Sequence, residues 1–206
     1  MHYENRLFWR WCSKEYPQYF NNPSKVVEFG SLNINGSIRH VFNCSDYTGI
    51  DWRSGPDVDL VCLAHEVPFA PESIDTVVSA SMLEHDPYWE KSLTKMVEVL
   101  KRDGLFAITW GAALNDAHCL ESAPDGKFHA LKAGLVLNHL EKLRLYVHIF
   151  KYERTICEEY GDKEIKEAKM PNRTHGLCCP ILVGFKDKNL AKGERHIDPL
   201  IREDMA

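Results

Sequence analysis

The stretch from 25 to 51 constrains this chain most. Val26-Val27-Glu28-Phe29 is a short, largely apolar run that stops at Gly30, and Gly36 follows six residues later. Tyr47-Thr48-Gly49-Ile50-Asp51 is a second such run, and it closes on an acid. Short apolar runs between turn residues read as buried strands. The stretch therefore predicts a strand over 25–29, a glycine turn, a short helix near 37–42 and a second strand over 46–51. A glycine at the end of the first strand lets the backbone approach a ligand that a Cβ would exclude. An acid on the tip of the next strand can accept two hydrogen bonds from neighbouring hydroxyls, such as those of a ribose. The pattern points to a nucleoside cleft in an α/β protein.

The rest of the chain continues the alternation. Residues 58–62 and 74–80 read as a third and a fourth strand. A helix follows, with Asp86 as N-cap and Pro87 in its first turn. Trp89, Leu93, Met96, Val97 and Leu100 give it one apolar face. Arg102-Asp103-Gly104 breaks it, and 105–110 is an apolar run expected to be a fifth strand buried on both faces. Residues 111–126 read as a loop, 128–143 as a helix, and 145–152 and 180–185 as late strands. The polar segment 153–177 reads as an insertion or arm, and the final twenty residues carry no periodicity. At the other end, Tyr3, Phe8, Trp9, Trp11, Tyr16, Tyr19 and Phe20 crowd the first twenty residues, as an amphipathic helix laid on the domain would require. Strands alternating with helices predict a doubly wound, mostly parallel sheet, here of seven strands, with its ligand crevice at the carboxyl ends of the strands.

Charge and cysteine usage narrow the classes of function. The 206 residues suit one domain (1–206), are 44% hydrophobic and 27% charged, and carry a net charge of −5. No basic stripe of the kind a duplex binder carries is present; 163–169 and 186–192 are diluted by acids and neutral residues, which disfavours nucleic acid as a partner. The seven cysteines are scattered and odd in number, no apolar run reaches 18 residues, and the N-terminus opens polar. These features predict free thiols, a cytoplasmic location and no membrane segment. They leave the oligomeric state open.

Three glycine-loop patterns compete for the first turn. No Gly-x4-Gly-Lys-Ser/Thr phosphate loop is present, and Gly30-Ser31-Leu32-Asn33-Ile34-Asn35-Gly36 fits the dinucleotide fingerprint Gly-x-Gly-x-x-Gly poorly. The third pattern, acid-x-Gly-x-x-x-Gly-x-Gly with an acid ending the second strand, is matched by Glu28, Gly30, Gly36 and Asp51 and missed at Ile34. Through these residues the chain resembles the class I S-adenosylmethionine-dependent methyltransferases, and the type 11 methyltransferases among them. Further landmarks follow in order: Ala64-His65-Glu66-Val67-Pro68-Phe69, Ser79-Ala80-Ser81-Met82-Leu83-Glu84-His85, and Leu100-Lys101-Arg102-Asp103-Gly104-Leu105. The resemblance covers roughly 25–110. Leu63 stands where many relatives carry an acid for the adenine amino group, and Asp103 replaces the usual turn proline.

The resemblance implies S-adenosylmethionine as cofactor, in contact with Glu28, Phe29, Gly30, Ser31, Gly36, Asp51, Trp52, Ala64, His65, Ser79 and Ser81. Glu28 would organise the first loop, Asp51 would take the ribose hydroxyls, Trp52 would lie beside the adenine, and Met82 and Leu83 would wall the pocket. Plainer roles exist for several of these: an ordinary strand-to-helix turn for Glu28 and Gly30, a solvated strand end for Asp51, packing for Trp52. Methyl transfer from a sulfonium needs in-line positioning and exclusion of water. A base is needed only where the acceptor loses a proton. His85 is the expected base, against the alternative of a histidine that braces the next helix. Glu84 and His85 are two potential ligands where a catalytic metal site needs three, and His175 with Cys178-Cys179 is poorly spaced for zinc, so no metal is expected. Asp86-Pro87-Tyr88 already serves as a helix start and is not read as a DNA-methylase motif. The expected domain divides into an aromatic cap (1–24) over cofactor or acceptor, a cofactor half (25–110), an acceptor half (111–186) and a tail (187–206). The expected activity is methylation of a small molecule or glycan-like metabolite. An RNA- or protein-directed enzyme, a non-catalytic cofactor-binding module and an NAD-type dehydrogenase stand as the alternatives.

Overall fold

A sheet covered on both faces needs strands that are buried along most of their length, and the central strands of this chain meet that demand. The computed structural model describes residues 3–111, 120–152, 179–198 and 201. After helix α1 (Tyr3–Glu15) come β1 (Val26–Phe29), β2 (Tyr47–Asp51), β3 (Leu60–Val61) and β4 (Ile74–Ala80). Helix α2 (Trp89–Val99), β5 (Leu100–Thr109), α3 (Ala133–Lys142), β6 (Tyr146–Tyr152), β7 (Pro180–Phe185) and β8 (His196–Ile197) complete the order. All four residues of β1 and all six of β7 are buried.

The strands form one sheet in the order β3-β2-β1-β4-β5-β7-β6-β8. β1 lies parallel to β2 and to β4, with Phe29 opposite both Ile50 and Ser79. β7 runs antiparallel to both β5 and β6, and β8 is parallel to β6. The chain winds outward from β1 to β3, then returns to the other side of β1 at β4. That reversal opens a crevice between the carboxyl ends of β1 and β4, where the backbones part to opposite sides.

The side-chain alternation along each strand feeds two cores. Val27, Phe29, Val77, Phe106 and Ile108 pack with Leu93, Met96 and Val97 of α2 and Val136, Leu137 and Leu140 of α3. Val26, Val78, Leu105, Ala107, Val183 and Phe185 face the opposite way, onto Phe8, Trp9 and Cys12 of α1 and onto Tyr16, Tyr19 and Phe20 beyond it. Each such side chain contributes about 1.5–3 kcal/mol on full burial. α1 is thus a packed layer on one sheet face. Its first turn reaches a strand tip through buried Asn5, which accepts from Trp9 Nε1 (2.7 Å) and donates to Thr109 Oγ1 (2.8 Å) at the end of β5.

Several boundaries differ from expectation, each for a local reason. Among the described residues the sheet has eight strands; the two-residue β8 is too short to leave a periodic signal in the tail. The helix near 37–42 is a single 3-10 turn, Arg39–Val41. α2 begins at Trp89, because the Asp86 carboxylate accepts from the Tyr88 amide (2.8 Å) and forms a turn ahead of the helix. α3 begins at Ala133, because the residues before it are tied to the strand tips. The segment 153–177 lies outside the described residues, as do 112–119 and, in the C-terminal tail, 199–200 and 202–206. Among the described residues no helix is long and apolar enough to cross a membrane, and Cys12, Cys44 and Cys62 are free thiols.

Candidate functional site

The first turn is built by one carbonyl. Ile50 O accepts from the amides of Gly30 (2.8 Å) and Ser31 (2.9 Å), which folds the chain back over the end of β2. Gly30 sits at φ +78, and a Cβ there would lie 2.4 Å from Met82 Cβ, so both backbone and neighbour require glycine. The turn brings Leu32 N within 3.4 Å of Asp51 Oδ2, while Arg53 N donates to Oδ1 at 3.2 Å. A carboxylate has about four acceptor positions, so Asp51 retains capacity for further donors. Burial pushes its carboxyl above the ordinary value, against the opposing pull of the Arg53 and Leu32 amides.

Glu28 has a different setting from the one expected. Its side chain is 3% exposed and its Oε2 accepts from Tyr47 Oη at 2.6 Å. Burial raises it to about 7; the Tyr47 hydrogen bond and Arg39 oppose the rise, while Asp57 and Asp51 add to it. Burial, then the charge and hydrogen bond of Glu28, push Tyr47 well up in turn. Glu28 therefore braces β1 to β2. The first loop is organised instead by Asn33, whose Nδ2 donates to Asp57 (2.9 Å), whose Oδ1 accepts from Gly36 N (2.9 Å) and whose amide donates to Pro56 O (3.0 Å). Sequence reading missed Asn33; an Asn three residues before a glycine was the available signal.

The other expected contacts fall around the same crevice in uneven ways. Phe29 is fully buried in the core, so only its backbone faces the turn. Gly36 lies on an exposed turn beside Ile34, which is 58% exposed. The hydroxyls of Ser31 and Ser79 are buried without hydrogen-bond partners, as is Nδ1 of His65. Ala64 and His65 form a 3-10 turn just past β3, with the His65 ring 4.8 Å from that of Tyr88. Ser81 takes φ +57, an uncommon conformation for a residue with a Cβ, as its amide reaches back to Thr109 O (2.9 Å). Trp52 is 37% exposed and donates from Nε1 to Ser122 O (2.8 Å), with the Arg53 guanidinium 5.6 Å from its ring.

Beyond β4, Leu83–His85 form a 3-10 turn whose three residues are buried. His85, the expected base, is 8% exposed and packs edge-on against Phe128 at 5.8 Å. The segment that supplies Phe128 is pinned here: His129 N donates to Glu84 O (2.6 Å), and Trp110 Nε1 donates to Leu131 O (3.4 Å). His129 Nε2 in turn meets Asp125 Oδ2 at 3.1 Å. No sequence motif flagged this pair. Among the described residues no group of three His, Cys, Asp or Glu side chains is arranged to hold a metal.

The fold has known counterparts. A family profile described as a methyltransferase domain matches residues 40–108. The fold is that of the class I S-adenosylmethionine-dependent methyltransferases. A solved structure of the Burkholderia thailandensis 1,6-didemethyltoxoflavin-N1-methyltransferase, with S-adenosylhomocysteine bound, aligns with a TM-score of 0.60 at 13% identity, covering 88% of this chain and 77% of that one. Phosphoethanolamine N-methyltransferase 2 of Haemonchus contortus aligns at 0.59 and 16% identity, over 90% of this chain and 53% of that one. The YcgJ protein of the Bacillus subtilis structure aligns at 0.58 and 12% identity, over 91% and 100%. No curated protein matches the sequence.

S-adenosylmethionine is the cofactor of this fold's methyltransferases, and the residues at the crevice fit it. Asp51 has open acceptor positions at the tip of β2, and the buried hydroxyls of Ser31 and Ser79 lack partners beside the Gly30 turn. Leu32 departs from a glycine-rich loop: it packs so closely on Gly55 that a Cβ there would meet its Cδ1 at 2.2 Å.

Proposed function

We propose that this protein transfers a methyl group from S-adenosylmethionine to a small-molecule acceptor. The observation that carries the reading is Asp51, a half-buried carboxylate with spare acceptor capacity at the tip of β2, within reach of the Leu32 amide that follows the Gly30–Ser31 turn and next to the β1–β4 crevice where the sheet order reverses. The net charge of −5 argues against a polyanionic acceptor. Two of the similar solved structures are named as enzymes acting on small molecules, 1,6-didemethyltoxoflavin and phosphoethanolamine. In this reading the chain is one domain, with 25–110 serving the cofactor and 111–186 the acceptor.

When bound, the cofactor supplies an activated methyl carbon on a sulfonium. The protein's task is then binding, alignment and exclusion of water. Asp51 accepts the ribose hydroxyls. The Gly30–Ser31 backbone allows close approach of the amino-acid arm, and Ser79 offers its unpartnered hydroxyl from β4. Trp52 and His65 flank the nucleobase from the β2 and β3 tips. Glu28 stays outside these contacts and holds β1 to β2.

Calorimetry with S-adenosylhomocysteine tests the reading. Binding is expected for the native chain, and Asp51→Ala weakens it by about 1–3 kcal/mol, the cost of orphaning buried polar partners. Tighter binding of NAD than of S-adenosylhomocysteine, or an affinity indifferent to Asp51→Ala, would remove the proposed site.

A further inference from the structure

Residues 120–131 cross the crevice as a strap with three anchors. Ser122 O is held by Trp52 at the β2 tip, His129 N by Glu84 past the β4 tip, and Leu131 O by Trp110 at the β5 tip. β1 lies between β2 and β4 in the sheet, so the strap passes over the end of β1. Two strand spacings are about 10 Å, and the seven residues from 122 to 129 could reach about 25 Å. The slack is taken up by a turn in the middle. Gly126 sits at φ +69 with its amide on Ala123 O (3.1 Å), and Lys127 N donates to Asp125 Oδ1 (3.2 Å). That turn brings Asp125 back onto the ring of His129.

We infer that His129, oriented by Asp125, is the general base that takes the proton of the acceptor, and that the acceptor is therefore a hydroxyl. This rests on the methyl-transfer reading above and deepens it. Three observations converge. The Asp125 carboxylate engages Nε2, which leaves Nδ1 as the nitrogen available to an acceptor. The ring is 26% exposed, whereas His85 is covered by the strap's own Phe128. The His129 amide is fixed to Glu84 O, just past the β4 tip that borders the crevice proposed for the cofactor. Burial pushes the Asp125 carboxyl up, but the hydrogen bonds from the His129 ring and the Lys127 amide, with their charges, outweigh it and hold it below its ordinary value.

The step balances without a further reactant. The acceptor oxygen forms a bond to the methyl carbon as the carbon–sulfur bond breaks, and that bond's electron pair remains on sulfur. The hydroxyl proton passes to His129 Nδ1, and the resulting imidazolium is paired with the Asp125 carboxylate until water takes the proton. A neutral amine acceptor would need no such base during transfer, which is why the pair specifies a hydroxyl. Asp125 acts through His129 and is a positioning residue.

The test uses the whole chain, S-adenosylmethionine labelled in its methyl group, and a fractionated polar-metabolite extract. The expected product is a labelled methyl ether. His129→Ala is expected to lower kcat by about 10²- to 10⁴-fold, the usual share of a general base, with S-adenosylhomocysteine affinity unchanged within about twofold. Added imidazole is expected to restore part of the rate. Asp125→Asn is expected to lower kcat with little change in KM, and Asp125→Glu to recover part of it. In nitrogen-15 spectra of ring-labelled histidine, the native chain is expected to show the Nε2–H tautomer of His129, and Asp125→Asn to lose it. Native transfer that survives His129→Ala would overturn the inference and spare the methyl-transfer reading. A labelled amine as product would overturn the hydroxyl assignment. No transfer by the native chain on any fraction would overturn both.

Discussion

The two sides of the crevice are held together by different means. On the β1–β2 side the chain is stitched to itself over short range: Asp51 to Leu32 and Arg53, Asn33 to Gly36 and Asp57, Glu28 to Tyr47. The strap over the crevice is held instead by partners far away in sequence: Trp52 to Ser122 across 70 residues, Glu84 to His129 across 45. The first side is preorganised by its own sequence. The second exists only once the sheet has formed. In the proposed reading, a nucleoside meets the rigid side, and acceptor chemistry is assigned to the side that tertiary structure assembles.

Gly30→Ala is the harshest challenge to the rigid side. The added Cβ meets Met82 Cβ at 2.4 Å, close to the backbone of a residue that cannot swing away, and φ is +78. A left-handed residue with a Cβ costs about 1–2 kcal/mol and overpacking about 1–3 kcal/mol. A loss of about 2–5 kcal/mol in urea unfolding is expected from the two together. A loss below about 1 kcal/mol would mean that this turn is softer than its hydrogen bonds imply.

Glu28 gives the second test, through pH. Its folded-state value of about 7 lies above the 4.5 of the free side chain, so the folded protein holds the proton more tightly. Stability from this group is full below about pH 4.5, falls as pH rises towards 7, and is level above that. The drop is about 3 kcal/mol, because each tenfold gain in proton affinity is worth about 1.4 kcal/mol. Urea unfolding at about pH 5 and about pH 8 is expected to show that drop in the native chain relative to Glu28→Gln, which has no proton to lose. A parallel pH dependence in the two proteins would place the titration elsewhere.

The smallest effect belongs to the assembled side. Trp52→Phe keeps an aromatic ring and removes the donor to Ser122 O. Losing one partly exposed hydrogen bond costs about 0.5–1.5 kcal/mol, and that cost is expected locally. Amide hydrogen exchange around 120–126 is expected to speed up, with the unfolding midpoint nearly unmoved. Faster exchange spread through the sheet would show that the strap and the sheet open together.

The same contrast governs how much of the molecule was legible from residue order. β4 and β7 have the predicted bounds because each is a continuous apolar run between turn residues. The glycine turn and the terminal acid of β2 were legible because their partners lie close by in sequence. The role of Glu28 was not, since its partner Tyr47 is an ordinary aromatic on the next strand until register brings the two together. His129 and Asp125 were invisible for a stronger reason. They fall in a stretch with no periodicity, and only the anchoring of 120–131 to three separate strand tips gives them a common address. α1 illustrates a third case. Its aromatic crowding announced an amphipathic helix, but only the sheet shows that those rings fill one of the two cores.

The sheet ends in two-residue strands at both margins, Leu60–Val61 on one side and His196–Ile197 on the other. On the second side, Arg195 Nε and Asp198 N also occupy the carbonyls of Val147 and Phe150, so the longer β6 does not offer them to a newcomer. A foreign ribbon seeking to extend this array meets clipped borders at either flank, and templated growth from one molecule to the next has little to grip.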